Sequence, residues 1–200
     1  MLRFESDSAS ALLSLSHELA DSVAQAGQSV VGVRARPRLG SSGIHWFRGV
    51  VVTAGHTIER DDEITLELPD GRTVSAELAG YDPRSGLAML TARGEFPVAV
   101  KGDAASLRVG HMVLAVARPS ERGLCASWGI ISALGGKRGG YIHLDLTMYP
   151  GFSGGPLVDA HGRVVGLNTL SPKGAALTIP KATVDRVVGR FIRNGDAALD

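Results

Sequence analysis

Apolar residues recur along this chain in two rhythms, and the change of rhythm divides it. Over residues 7–26 they fall three and four apart, at Leu12, Leu15, Leu19 and Val23. That spacing predicts an amphipathic helix, with Ser8 or Ser10 as its cap and Gly27 as its stop. From Ser29 the period drops to two. Ser29–Arg36, Ile44–Phe47, Val50–Thr53, Ile64–Leu68, Arg72–Tyr81 and Leu87–Thr91 read as strands, and Asp70-Gly71 is a hairpin signal between the fourth and fifth. Residues 96–109, with Pro97, Gly102 and a run of small side chains, read as a connector. A second set of strands follows at Met112–Ala117, Leu124–Leu134, Tyr141–Leu146, Pro156–Val158, Val164–Thr169 and Ala176–Ile179. Pro180 then opens a helix with Val184, Val187, Val188, Phe191 and Ile192 on one side, ending near Gly195. The pattern predicts an all-β protein of two six-stranded antiparallel β-barrels with N- and C-terminal helices. Its parts are a helical segment over 1–28, barrels over 29–100 and 101–180, and a helix and tail over 181–200.

Composition narrows the function classes. The 200 residues are enough for a sizeable core, and 26 glycines with few aromatics suit many short strands joined by tight turns. Lys plus Arg (21) nearly balances Asp plus Glu (20), and no basic cluster stands out, so neither nucleic acid nor a membrane surface is expected as partner. One cysteine, Cys125, excludes an intrachain disulfide and reads as a small buried apolar residue. No two His or Cys residues show metal-ligand spacing, so no metal and no cofactor are expected. His17, His111, His143 and His161 read as surface, turn or structural residues. The first residues lack the basic and apolar regions of a leader, which points to a cytoplasmic protein.

Candidate chemistry lies in two stretches. In Pro150-Gly151-Phe152-Ser153-Gly154-Gly155-Pro156-Leu157 a serine stands between glycines. Small neighbours let a carbonyl approach its hydroxyl, and the N–H groups of Gly151 and Ser153 can converge as an oxyanion hole. An ordinary Gly/Ser/Pro turn has the same composition. Upstream, Thr53-Ala54-Gly55-His56-Thr57 sets a histidine just past an apolar strand, where it could take the Ser153 proton. A partly buried histidine ending a strand looks the same.

Together the two stretches resemble the trypsin-like serine peptidases, and more of the chain resembles their HtrA/Deg branch. Asp62-Glu63-Ile64-Thr65-Leu66, Gly80-Tyr81-Asp82-Pro83-Arg84, Leu107-Arg108-Val109-Gly110 and Trp128-Gly129-Ile130-Ile131-Ser132-Ala133-Leu134 are similar to HtrA segments in HtrA order, as is Gly162–Thr169. The resemblance spans roughly Ser29 to Val188. It implies two packed barrels with the site in the crevice between them. It also implies Ser153 as nucleophile, His56 as base and a peptide or protein as substrate or partner. Thr147, Met148, Tyr149, Asn168, Thr169 and Leu170 would line a primary pocket suited to a small or branched aliphatic side chain.

Departures from the family pattern bear on activity. The orienting aspartate's position is occupied by Gly86. Phe152 stands where HtrA proteins usually carry Asn. The family's usual export signal and PDZ domain are not expected, and of the N-terminal aromatics through which relatives trimerise, only Phe4 is available. Two readings follow: a weak or conditional endopeptidase, or an inactive pseudopeptidase that binds a peptide or protein. A homo-oligomer, or docking through the N-terminal helix, fits either.

Overall fold

The computed structural model describes residues 4–37, 39–119, 122–135 and 140–193. The chain begins with helix α1 (Phe4–Gly27). Six strands follow: β1 (Val30–Arg34), β2 (Ser41–Phe47), β3 (Val50–Ala54), β4 (Ile64–Glu67), β5 (Thr73–Asp82) and β6 (Leu87–Ala92). Six more come after a connector: β7 (Met112–Ala117), β8 (Cys125–Leu134), β9 (Ile142–Asp145), β10 (Pro156–Val158), β11 (Val164–Leu170) and β12 (Ala176–Pro180). Helix α2 (Lys181–Arg193) closes the described chain, and the expected stop at Gly195 lies outside the described residues.

Each set of strands closes on itself. The first barrel runs β1-β2-β3-β6-β5-β4 and the second β10-β11-β12-β9-β8-β7, all pairs antiparallel. This is the predicted architecture, and no strand end differs from the sequence reading by more than three residues. Closure leaves no free sheet edge, so every strand buries one face in its barrel. β3 is buried along its whole length because its second face meets the other barrel. The largest apolar cluster accordingly crosses the seam. It joins Ile44, Trp46, Val52 and Leu87 of one barrel to Leu114, Val116, Val158 and Leu167 of the other, with Val184, Val187, Val188 and Phe191 of α2 on top. At ~25 cal/mol per Å² of apolar surface, burial on this scale is the main force holding the barrels together.

Helix α2 is fixed by polar contacts as well. Trp46 Nε1 donates to Asp185 Oδ1 at 3.0 Å, and Lys181 pairs with Asp185 at 2.6 Å. Helix α1 docks only part of its leucine stripe. Leu19 and Val23 pack on the core, but Leu12 and Leu15 are 69% and 38% exposed. The helix outruns the barrels, and only its C-terminal part meets β1, β7 and β10. Arg118 secures that end by donating from Nε to the Val30 carbonyl (2.9 Å) and from Nη2 to the Gly27 carbonyl (3.2 Å). Cys125, expected to be buried, is half-buried against Phe152.

Candidate active site

His56 sits on a single 3-10 turn, Gly55–Thr57, that continues directly from β3. The buried Thr57 hydroxyl closes this turn by donating to the Ala54 carbonyl at 2.7 Å. Gly55 donates its N–H to the Gly86 carbonyl at 2.7 Å, so the β5–β6 turn is stitched to the residue before the histidine. A side chain at Gly55 would collide with the Tyr81 ring, which lies over it. The imidazole keeps a solvent-exposed edge. Burial of the rest nevertheless holds its pKa below the ordinary value, and the Arg36 guanidinium adds to the effect.

Ser153 comes from the opposite barrel. It is 8% exposed, and its neighbours Gly151 and Gly154 have φ of 93° and 89°, a left-handed region open mainly to glycine. The N–H groups of this loop alternate in what they do. Those of Phe152, Gly154 and Gly155 donate to the carbonyls of Tyr149, Asn168 and Phe152, at 3.1, 2.8 and 3.1 Å. Those of Gly151 and Ser153 donate to no acceptor among the described residues. Two buried donors without partners are costly unless something else takes the bonds, and a carbonyl oxygen turning into an oxyanion is such an acceptor.

One residue that the sequence did not single out ties the loop to the other barrel. Ser42 is fully buried, and its Oγ donates to the Gly151 carbonyl at 2.8 Å while accepting from the Arg118 N–H at 2.8 Å. Its own N–H donates to the Ser153 carbonyl at 3.1 Å, and its carbonyl accepts from the Thr53 hydroxyl at 2.7 Å. Gly154 lies so close to the Ser42 carbonyl and Thr53 hydroxyl that a side chain there would collide with both. The loop carrying Ser153 is therefore packed against the end of β3, the strand that delivers His56. Nothing in the sequence signals Ser42: it stands before the predicted strand Ile44–Phe47, in a Ser-Ser-Gly run that the observed strand Ser41–Phe47 takes in.

The remaining sequence-derived residues fall around this centre. Met148 is half-buried against Phe152, whose ring fills the second barrel beside Ala115 and Ala117. Tyr149 is 49% exposed, its ring centroid 5.8 Å from that of Phe152, and Thr147 is exposed. Thr169 is buried and Leu170 is 37% exposed. Asn168 spends its side-chain amide inside the barrel, donating to Pro156 and accepting from Thr178 at 2.7 and 2.9 Å. Gly86 has φ of 71° and open space where a side chain would stand. The nearest acidic residue in its turn, Asp82, is engaged elsewhere, accepting from Ser85 Oγ at 2.6 Å and pairing with Arg190 at 3.5 Å. Asp61 is exposed. No carboxylate bonds to the His56 ring among the described residues.

Residues 40–167 match the model of the trypsin-like peptidase domain. Over 161 residues the chain is 37% identical to a probable periplasmic serine endoprotease, DegP-like, of Brucella suis, an alignment covering 74% of this chain and 31% of that protein. It is 33% identical over 174 residues to the serine endoprotease DegS of Salmonella typhimurium, covering 78% of this chain and 49% of that one. The chain thus spans a third to a half of the relatives it matches. Among solved structures, a serine endoprotease from Yersinia pestis superposes with a TM-score of 0.78 at 32% identity, covering 88% of this chain and 67% of that one. The Brucella relative and a Haemophilus influenzae relative 34% identical to this chain are both named periplasmic. That overturns the cytoplasmic expectation, because the residue pattern at the start of this sequence is no guide to the compartment.

Proposed function

The chain belongs to the trypsin-like serine peptidases and carries an HtrA-type protease domain, and from that membership we propose that it hydrolyses peptide bonds slowly with a Ser153–His56 dyad. Ser153 Oγ attacks the scissile carbonyl carbon as His56 takes its proton. The carbonyl oxygen, now an oxyanion, accepts from the N–H groups of Gly151 and Ser153. His56 then returns the proton to the leaving amine, and water frees the acyl group by the same steps in reverse. The observation that carries this reading is the pair of unpartnered N–H groups beside a buried serine. An inactive loop would gain by bonding them internally.

Gly86 accounts for the slowness. It is joined through its carbonyl to the residue before His56, yet offers no carboxylate to fix the imidazole tautomer or stabilise the imidazolium. Loss of that group costs about 10⁴ in kcat in triads of this kind, or about 5 kcal/mol of transition-state stabilisation. The same feature favours a second reading, a pseudopeptidase that holds peptides in the cleft without cutting them. Met148, Tyr149 and Leu170 give either reading a largely apolar primary pocket for a small or branched aliphatic side chain. The periplasmic relatives support action on peptides or proteins outside the cytoplasm.

Fluorophosphonate labelling separates the readings. The parent protein is expected to label slowly and Ser153→Ala not at all. Gly86→Asp is expected to label faster, by about tenfold or more, because Asp tolerates the left-handed region better than most residues and finds the space open. If Gly86→Asp alone labels, the pseudopeptidase reading holds. If no variant labels, the peptidase reading fails.

A further inference from the structure

A cavity of about 360 Å³ opens beside the catalytic residues, and arginines dominate its wall. Arg34, Arg36, Arg60 and Arg122 line it, against a single carboxylate, Glu63. Arg34 and Arg36 are partly compensated from outside the cavity, by Glu67 at 3.5 Å and Glu59 at 4.0 Å. Arg60 and Arg122 pair with no carboxylate among the described residues, and both are exposed. Among the described residues the wall therefore keeps an excess of positive charge after Glu63, Glu59 and Glu67 are counted, and a recess strengthens the field it presents to a ligand.

Its position ties it to the cleft. Pro150, which precedes the oxyanion glycine, forms part of the wall, as does Pro119, whose ring would meet a Cβ on Gly151 at 2.7 Å. Arg36 lies near enough to His56 to depress its pKa. None of the residues assigned to the primary pocket lines the cavity. The cavity thus borders both the loop that carries Ser153 and the turn that carries His56, on the side away from the residues assigned to the primary pocket.

We infer that this cavity is a specificity subsite for acidic side chains on the leaving-amine side of the scissile bond, with Arg60 and Arg122 as its selecting residues. The inference rests on the substrate-binding reading of the cleft, and it holds for a slow peptidase and for a pseudopeptidase alike. Guanidinium groups suit the carboxylates of Asp and Glu because their paired N–H donors match a carboxylate's two oxygens. A lysine-bearing segment would meet like charge instead.

The test uses the Ser153→Ala protein, so that binding is read without cleavage. Fluorescein-labelled peptides that differ only in carrying Glu, Ala or Lys at the two or three positions after the scissile bond are titrated by anisotropy. The Glu peptide is expected to bind about fivefold or more tighter than the Ala peptide, with the Lys peptide weakest, and the gap should shrink as salt rises. Adding Arg60→Ala and Arg122→Ala should erase most of the preference, and Arg60→Glu with Arg122→Glu should invert it. Equal binding of the three peptides overturns the inference, as does unchanged preference in the Arg variants. Failure of every peptide to bind a protein with intact circular dichroism overturns it as well. Fluorophosphonate labelling of the parent protein, with Arg60 and Arg122 intact, reads the catalytic centre separately, so a failed subsite and a failed peptidase give different results.

Discussion

At the scale of single residues, the site depends on a serine that takes no part in the chemistry. Ser42 holds the Gly151 carbonyl by a hydroxyl bond and the Ser153 carbonyl by an amide bond, which helps set the direction in which the unpartnered Gly151 and Ser153 N–H groups point. In Ser42→Ala the Gly151 carbonyl and the Arg118 N–H both lose their partner in a buried setting, at a cost of about 1–3 kcal/mol. We predict a kcat about tenfold lower with KM nearly unchanged, since the loss falls on the oxyanion rather than on substrate side chains. Equal changes in kcat and KM, or none in labelling rate, would contradict this role. Ser153 and His56 were legible in the sequence because glycines and small residues flank them in a recognisable order. Ser42 was not, because its meaning lies in a contact with a residue 109 positions away.

Among the elements, the strands were the most legible part. Alternation, Asp70-Gly71 and short apolar runs marked every one of the twelve, since each barrel buries one face of each strand. The two helices show the limit of the same logic. Both carry an apolar stripe, but a stripe records which face is available for packing and says nothing of how far the surface beneath it extends. That of α2 lies fully on the seam, whereas α1 passes the edge of the barrels and leaves Leu12 and Leu15 in solvent. Phe191, 5% exposed, sits over Gly80, where a Cβ would come within 3.1 Å of its ring. Phe191→Ala is therefore predicted to cost about 3–5 kcal/mol in urea unfolding. A substitution such as Leu12→Ala on the exposed end of α1 should stay within about 0.5 kcal/mol. A larger effect at Leu12 would mean that α1 is covered in solution.

For the whole molecule, the joint between barrels carries a proton-sensitive fastening. His45 is 2% exposed; its Nδ1 bonds the Pro97 carbonyl at 3.0 Å, and its Nε2 accepts from the Gly49 N–H at 3.2 Å. Its backbone carbonyl also accepts from Ala99, so the connector between barrels is pinned to β2 there. Accepting at Nε2 requires the neutral ring, and burial accordingly holds the pKa below its ordinary value. A histidine whose native pKa is depressed takes up protons more readily when unfolded. Its stabilising contribution is thus complete above the unfolded pKa near 6.5 and lost as pH falls through the lower native value. Stability is predicted to decline below pH 6.5 in the parent and to decline less in His45→Gln, measured as urea midpoints across pH 4–8. Parallel profiles would assign the acid sensitivity to other groups.

The tie between Ser42 and Gly151 also has a temporal side. Each half of the chain can close its own barrel from contacts within that half, but the bond spans 109 residues and joins the two halves. The loop carrying Ser153 has bonds within its own half, but it gains its anchors at the Gly151 and Ser153 carbonyls only when both halves are docked. A chain emerging from synthesis has the serine and the histidine but not yet the cross-barrel bonds that hold the Gly151 and Ser153 carbonyls. On the proposed dyad chemistry, such a chain stays harmless to itself and its neighbours until its last folding step is complete.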